Sequence, residues 1–226
     1  MRHGKKYLDS LKKYDGAASY ELKAAVDLVK TLAFAKFDET LDVSVKLNLK
    51  KSQSVRDTVV LPHQFRAEKR VLVFCKPEKE KEAQDAGASY TGAEDLIEKI
   101  KGGWLDFDVA VATPDMMKDV GKLGMILGRK GLMPNPKTGT VTFDLKGALA
   151  ELKKGRVEFR ADKTGVVHLA VGKVSMESEK VAENVKAVVT EIKRKKPVDA
   201  KGEFIQTVSV ASTMGPGVWV AIKDEE

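Results

Sequence analysis

At 226 residues the chain has the length of one large domain or two small ones, and its 42% hydrophobic and 32% charged content excludes a disordered polymer. No run of about 18 apolar residues predicts a membrane span, and Met1 to Lys6 lacks the apolar stretch of a signal peptide. A formal net charge of +7 favours an anionic partner such as nucleic acid.

Basic residues gather near the start (Arg2, Lys5, Lys6, Lys12, Lys13) and again at Lys193-Arg-Lys-Lys196. Leu22, Ala25, Val26, Val29 and Ala33 fall at helical spacing and predict a helix from Tyr20 to Ala35. Leu41 to Leu49 alternates with period two and reads as a half-buried strand. A second strand, Arg56 to Leu61, stops at Pro62, so the block reads as a helix followed by two antiparallel strands.

From Arg70 the pattern changes to short apolar strands alternating with helices. Strands are expected at Val71 to Phe74, Ala88 to Tyr90 and Phe107 to Ala112, with helices at Glu78 to Asp85, Ala93 to Lys101 and Thr113-Pro114 to about Leu127. Such βαβ units predict a parallel sheet covered on both faces. Cys75, at the end of the first of these strands, reads as a buried small hydrophobe.

After Gly155 the alternation returns. Arg156 to Arg160 and Val166 to Ala170 read as strands around the turn Ala161 to Gly165, and Val181, Val185, Val188 and Ile192 mark a helix from Ser178. The run Val208 to Val220 reads as strand, tight turn, strand. The first and third blocks share one style, so the organisation expected is a discontinuous outer domain (residues 1–66 and 156–226) with an α/β domain inserted (67–155). Chain crossings that lie close together tolerate such insertions, and the arrangement gathers both basic ends into one domain.

The sequence carries little that suggests catalysis. The glycines around Gly121 to Gly131 lack the spacing of a P-loop or dinucleotide-binding turn. His3, His63 and His168 are dispersed, with no cysteine cluster, so neither a metal nor a cofactor is expected. Asp106, Asp108 and Asp115 could pair as carboxylates, though helix capping suits Asp115 better.

Three segments suit RNA contact instead. Lys36-Phe-Asp-Glu-Thr40 offers a cation, an aromatic ring and a hydroxyl, or else a core anchor at a helix end. Gly128 to Thr140 is a stiff cationic loop with Arg129, Lys130 and Lys137, or else a structured linker. Ser212-Thr-Met-Gly-Pro-Gly217 reads either as a hairpin whose Met214 caps the core or as a contact surface.

Taken in order, Lys36 to Thr40, Val59 to His63, Gly103 to Asp108, Ala112 to Asp115, Gly131 to Lys137, Asp162 to Gly165, Val171 to Lys173 and Ser212 to Pro216 resemble the L-one family of large-subunit ribosomal proteins. The resemblance spans nearly the whole chain. It implies an α/β fold in which the outer domain is a discontinuous split β-α-β (α+β) domain and the inserted one a Rossmann-like three-layer domain without a nucleotide site. It also implies a cytoplasmic, non-enzymatic protein, monomeric when free of the ribosome. Its partners would be the stalk segment of 23S rRNA, deacylated tRNA at the exit site and its own operon mRNA, which it would repress.

The family's RNA-contact positions fall on Lys36, Phe37, Thr40, Thr207, Thr213, Met214 and Gly215, with Asp162, Lys163, Thr164 and His168 as weaker candidates. Arg2, Lys5, Lys6, Arg129, Lys130 and Lys137 are expected to add basic contacts. Thr207 stands where serine is common, Lys130 where arginine is frequent and Asp57 where glycine is frequent. In this reading the threonine hydroxyls meet ribose and backbone, Gly215 lets the backbone approach RNA, and Thr213→Ala weakens binding without changing the melting temperature. The rival readings are a non-ribosomal repressor that binds RNA or DNA, and an α/β enzyme with its site at the inner sheet's C-terminal edge.

Overall fold

The computed structural model describes residues 4–50, 53–66, 69–153, 155–197 and 202–221. A short helix, α1 (Lys5–Leu11), and a two-residue strand, β1 (Ser19–Tyr20), precede α2 (Leu22–Leu32). The α2 stripe Ala25, Val26, Val29 and Leu32 is buried, and Ala33 leaves the helix in an extended conformation. In β2 (Thr40–Leu47) the alternation is strict: Leu41, Val43, Val45 and Leu47 are buried and the residues between them half-buried.

The next strand, β3 (Arg56–Val60), is not the partner of β2. Both edges of β2 are taken by longer strands from later in the chain, and β3 pairs in a separate two-stranded sheet. Period-two patterning sets which face of a strand is buried but not which strand lies beside it.

The middle block runs β4 (Val71–Phe74), α3 (Pro77–Asp85), β5 (Tyr90–Gly92), α4 (Glu94–Lys101) and β6 (Val109–Ala112). The single helix expected up to Leu127 is three pieces: a 3₁₀ turn at Pro114–Met116, α5 (Met117–Gly121) and α6 (Gly124–Lys130). Gly121 and Gly124 lie at the break, where each costs about 1 kcal/mol of helix propensity. Gly131, at φ 71°, ends α6 in the left-handed conformation that suits glycine. Then comes α7 (Leu145–Lys153), whose Leu145, Ala148, Leu149 and Leu152 are buried at helical spacing.

The chain closes with β7 (Arg156–Arg160), β8 (Val166–Lys173), α8 (Ser178–Arg194), β9 (Ile205–Ser212) and β10 (Gly217–Val220). β7 and β8 do not form the hairpin that their shared turn suggests. β7 pairs with β3 and β8 with β2, and only a bridge between Ala161 and Val167 joins them at the turn.

By contacts the chain divides into two compact units, Met1–Phe65 with Glu158–Glu226, and Arg66–Val157. In the first, a five-stranded sheet has the order β1-β10-β9-β2-β8, antiparallel throughout except for the parallel β1–β10 pair. α2 and α8 pack on one face, where α8 buries Val181, Val185, Val188 and Ile192. The helix approaches so closely that a Cβ on Gly172 would lie 2.9 Å from Val181 Cγ2. The opposite face carries Asp42, Ser44, Lys46, His168, Ser209 and Trp219, half-buried to exposed.

In the second unit a parallel sheet of order β5-β4-β6 is covered on both faces. Leu72 and Phe74 point into a core with Ile97, Ile100, Val120 and Leu127. Val71 and Val73 point the other way, into a core with Cys75, Ala83, Leu145 and Leu149. The mixed α/β class read from the sequence holds, and a β4 buried at every residue is its reason. Cys75 is fully buried, and burial pushes its thiol pKa up, as suits a small hydrophobe.

Candidate nucleic-acid interface

The loop from α2 to β2 and the turn from β9 to β10 meet around one buried carboxylate. Glu39 is 1% exposed. Its Oε1 accepts hydrogen bonds from the Phe34 and Ala35 N–H groups at 3.1 and 2.9 Å, and its Oε2 accepts one from the Met214 N–H at 2.9 Å. Burial opposes its ionisation, but the Met214 and Ala35 N–H groups, the Ser212 hydroxyl and the Phe34 N–H outweigh burial and hold its pKa below the usual carboxylate range. Beside it, the Thr213 hydroxyl donates to the Thr40 carbonyl at 3.2 Å and accepts from the Thr40 N–H at 3.0 Å. The Thr213 N–H donates to the same carbonyl. Asp38 ties the loop to the end of β8 by accepting from the Ser175 hydroxyl at 2.9 Å.

This junction presents a compact set of side chains. Lys36 is exposed, Phe37 is 56% exposed and Met214 is 52% exposed. Met214 therefore does not cap the core. Gly215 has a reason internal to the protein: an added Cβ would lie 2.5 Å from Ser212 Oγ, the atom that accepts from the Gly215 N–H. Thr213 likewise holds the junction with its hydroxyl, so Thr213→Ala would lower stability as well as reshape the surface, contrary to the unchanged melting temperature expected from sequence.

The remaining outer-domain candidates lie toward the other end of the sheet. Thr40 and Lys46 are separated along β2 by about 20 Å of strand. Lys46 is in register with Thr207 of β9 and with Val166 of β8, and its Nζ reaches the Thr164 carbonyl. In the turn, Asp162 Oδ1 accepts from the Thr164 N–H, the Thr164 hydroxyl and the Val166 N–H at 2.7–2.8 Å. The Val166 N–H leads these bonds in holding the Asp162 pKa down. Asp162 and Thr164 thus shape the turn, and exposed Lys163 stands at its tip. His168 lies between the two ends, its Nδ1 3.0 Å from Ser44 Oγ. The structure joins Lys36, Phe37, Thr40, Thr213, Met214 and Gly215 in one cluster and sets Thr207, His168 and Asp162 to Thr164 along the same sheet.

Of the basic candidates, Lys5 and Lys6 are exposed on α1, and Arg2 lies outside the described residues. Arg129 and Lys130 are exposed in the last turn of α6 of the second unit. Lys137 falls in a 3₁₀ turn, Pro136–Thr138. That loop is structured: the Asn135 N–H donates to Thr140 Oγ1 at 2.7 Å, and the Thr138 and Thr140 hydroxyls both donate back to the Asn135 carbonyl.

The carboxylates singled out from sequence have structural partners. Asp106 and Asp108 both pair with Arg70, and Asp108 accepts from the Arg70 N–H at 2.9 Å. Asp115 does not cap a helix; it lies 3.6 Å from Lys76 Nζ, and the cap position, Thr113, makes no side-chain bond there. Asp57 is accounted for as well, since its Oδ2 is 2.5 Å from Lys195 Nζ and ties β3 to the end of α8. Nothing in the structure explains Lys130. Among the described residues no group of His, Cys, Asp or Glu could hold a metal ion, and no helix is long and apolar enough to cross a membrane.

The sequence reading gave no role to Glu39, Ser44 or Lys46. For Glu39 a signal existed, because odd-numbered positions from Leu41 to Leu47 are buried and one step back on that alternation reaches Glu39.

Comparison of the sequence with known proteins identifies a family. The Ribosomal protein L1p/L10e family profile matches residues 28–216. The chain is 70% identical over 223 residues to Large ribosomal subunit protein uL1 of Treponema denticola, covering 99% of each chain. It is 62% identical over 226 residues to the protein of the same name from Treponema pallidum, covering 100% of each. It is 55% identical over 219 residues to that of Borreliella burgdorferi, covering 97% of each. The chain belongs to the Ribosomal protein L1p/L10e family, as a non-enzymatic structural protein of the large ribosomal subunit, acting in the cytoplasm on the ribosome.

Proposed function

We propose that the protein binds the stalk segment of 23S rRNA through its first unit, with the Phe37–Met214 junction as the centre of the contact. One observation carries this reading: two large apolar side chains stand in water beside Lys36, on a backbone fixed by Glu39 and Thr213. A fixed junction with a ring, a thioether and a cation suits a folded RNA recognised by shape, since little conformational freedom is left to lose on binding. Lys46, Lys163 and Thr207 extend the same face toward phosphate and ribose.

In this proposal the bound protein forms part of the mobile stalk, assists release of deacylated tRNA at the exit site, and represses its own operon mRNA by the same face. It is a monomer when free of the ribosome. Membership of the family supports the ribosomal role.

Filter binding of the protein to a transcript of the stalk segment tests the central claim. Phe37→Ala and Met214→Asp are each expected to weaken binding about tenfold or more, from a stacking contribution of about 1–3 kcal/mol. Normal binding by both variants would overturn the site. Competition with duplex DNA separates the repressor alternative: a DNA preference would contradict recognition of ribose. Competition with the operon mRNA leader tests the shared face.

A further inference from the structure

The N-terminal arm, residues 4–20, is tied to both halves of the Phe37–Met214 junction. α1 adds no apolar side chain to the core: its one buried residue is Ser10, while Leu8 and Leu11 are exposed. A helix of 7 residues does not stand by itself in water, so polar ties hold it. Ser10 Oγ donates to the Leu32 carbonyl at 3.3 Å, satisfying a group that the end of α2 leaves without a helical partner. An added Cβ on Gly215 would stand 4.0 Å from that same oxygen, so the Leu32 carbonyl lies between the arm and the turn.

The second tie is to the other half. The Tyr14 hydroxyl donates to the Gly217 carbonyl at 3.0 Å, immediately after the turn that carries Met214. The segment behind Tyr14 is itself held, because the Tyr20 hydroxyl accepts from the Asp15 N–H at 3.2 Å and donates to the Asp15 carbonyl at 3.3 Å. Tyr20 is in register with Val220, so residues 14–20 run beside β10 from its first residue to its last.

We propose that Ser10 and Tyr14 are positioning residues for RNA binding, and that the arm is a brace across the junction. Leu32 precedes the loop that carries Lys36 and Phe37, and Gly217 follows the turn that carries Met214. One hydroxyl holds each carbonyl, so the arm fixes the two halves against each other, in addition to the Glu39 carboxylate between them. Fixing them before RNA arrives lowers the ordering cost of binding. The inference rests on the junction being the RNA site, and it gives α1 a part in affinity. Lys5, Lys6, Lys12 and Lys13 are exposed on the same arm. Neither Ser10→Ala nor Tyr14→Phe removes a charge, so the brace is separable from them.

Filter binding of the full-length protein to the stalk transcript, with melting temperatures alongside, tests the brace. Ser10→Ala and Tyr14→Phe are each expected to weaken binding about threefold, from one lost hydrogen bond, with the salt slope unchanged. In a Met214→Ala background the effect of Tyr14→Phe should shrink. In a Lys46→Ala background, at the far end of the sheet, it should persist in full. A merely structural tie would lower the melting temperature and make the two backgrounds alike. Tyr14→Phe keeps the ring and decides the matter if Ser10→Ala does not fold. If Phe37→Ala and Met214→Ala weaken binding but Tyr14→Phe binds as wild type, or loses equally in both backgrounds, the brace is overturned and the junction reading stands. If Phe37→Ala and Met214→Ala both bind normally, the junction reading falls and takes the brace with it.

Discussion

Phe37 and Met214 are each more than half exposed, so their removal should separate binding from folding. Phe37→Ala and Met214→Ala are expected to change unfolding free energy by about 0.5 kcal/mol or less, as urea denaturation would record. Glu39 behaves in the opposite way. Glu39→Gln keeps the shape but replaces one acceptor oxygen with an NH₂ donor facing backbone N–H groups, and should cost about 2 kcal/mol. Because Glu39 positions both halves of the junction, the same variant should weaken RNA binding, and the loss from Met214→Ala should shrink in its background. A double-mutant cycle measures that coupling; strict additivity would show that Glu39 acts only on stability. At this scale the sequence showed the chemistry of Lys36, Phe37 and Met214. It did not show that the Thr213 hydroxyl is engaged by Thr40 or that Gly215 makes room for Ser212, because both depend on a partner brought close by folding.

Elements with strong internal periodicity were legible, and those defined by their partners were not. α2, α8 and β2 follow from their own apolar spacing. α7 has a similar spacing in Leu145, Ala148, Leu149 and Leu152, but the sequence reading did not predict it. By contrast, α1 has only Ser10 buried and β1 is two residues long, so neither leaves a periodic trace. The packing of α8 on β8 supplies a test at this scale. Gly172→Ala would drive a methyl group into Val181 and should destabilise by about 1–3 kcal/mol. Combined with Val181→Ala, the total should fall short of the sum of the single changes, and thermal unfolding of the four proteins would show it. Asn184 is a second such tie: its amide donates to the His63 and Val171 carbonyls at 2.9 and 2.8 Å and its Oδ1 accepts from the His63 N–H. Asn184→Leu is expected to cost about 3 kcal/mol, since it leaves those backbone groups unsatisfied.

Across the whole molecule, charge governs both binding and stability. With a net charge of +7, RNA affinity should fall linearly in log–log form as salt rises, and Lys36→Ala should lower the slope by roughly one. The acid limb of stability has a definite sign. Glu39, Asp38, Asp108 and Asp162 all have folded-state pKa values lowered, chiefly by hydrogen bonds from N–H and hydroxyl groups, in Glu39 against the opposing effect of burial. Each contributes stability that is present above the ordinary carboxylate range and is lost as pH falls through the lowered folded value. Melting temperature should therefore drop on acidification below about pH 4.5, and the drop should be shallower in Glu39→Gln.

The sequence by itself determined the α/β class, the change of style between the middle and outer blocks, the cationic balance and the family. Each of these is a property of local pattern or of ordered motifs, and needs no knowledge of which strands are neighbours. Only the tertiary structure decided that β2 lies between β8 and β9, that the loop 33–39 meets the turn at Ser212 to Gly215, and that Tyr14 reaches Gly217. Those are long-range pairings, with Glu39 and Met214 lying 175 residues apart. Alternation states which face of a strand is buried, but the strand's neighbour is chosen by the packing of the whole sheet.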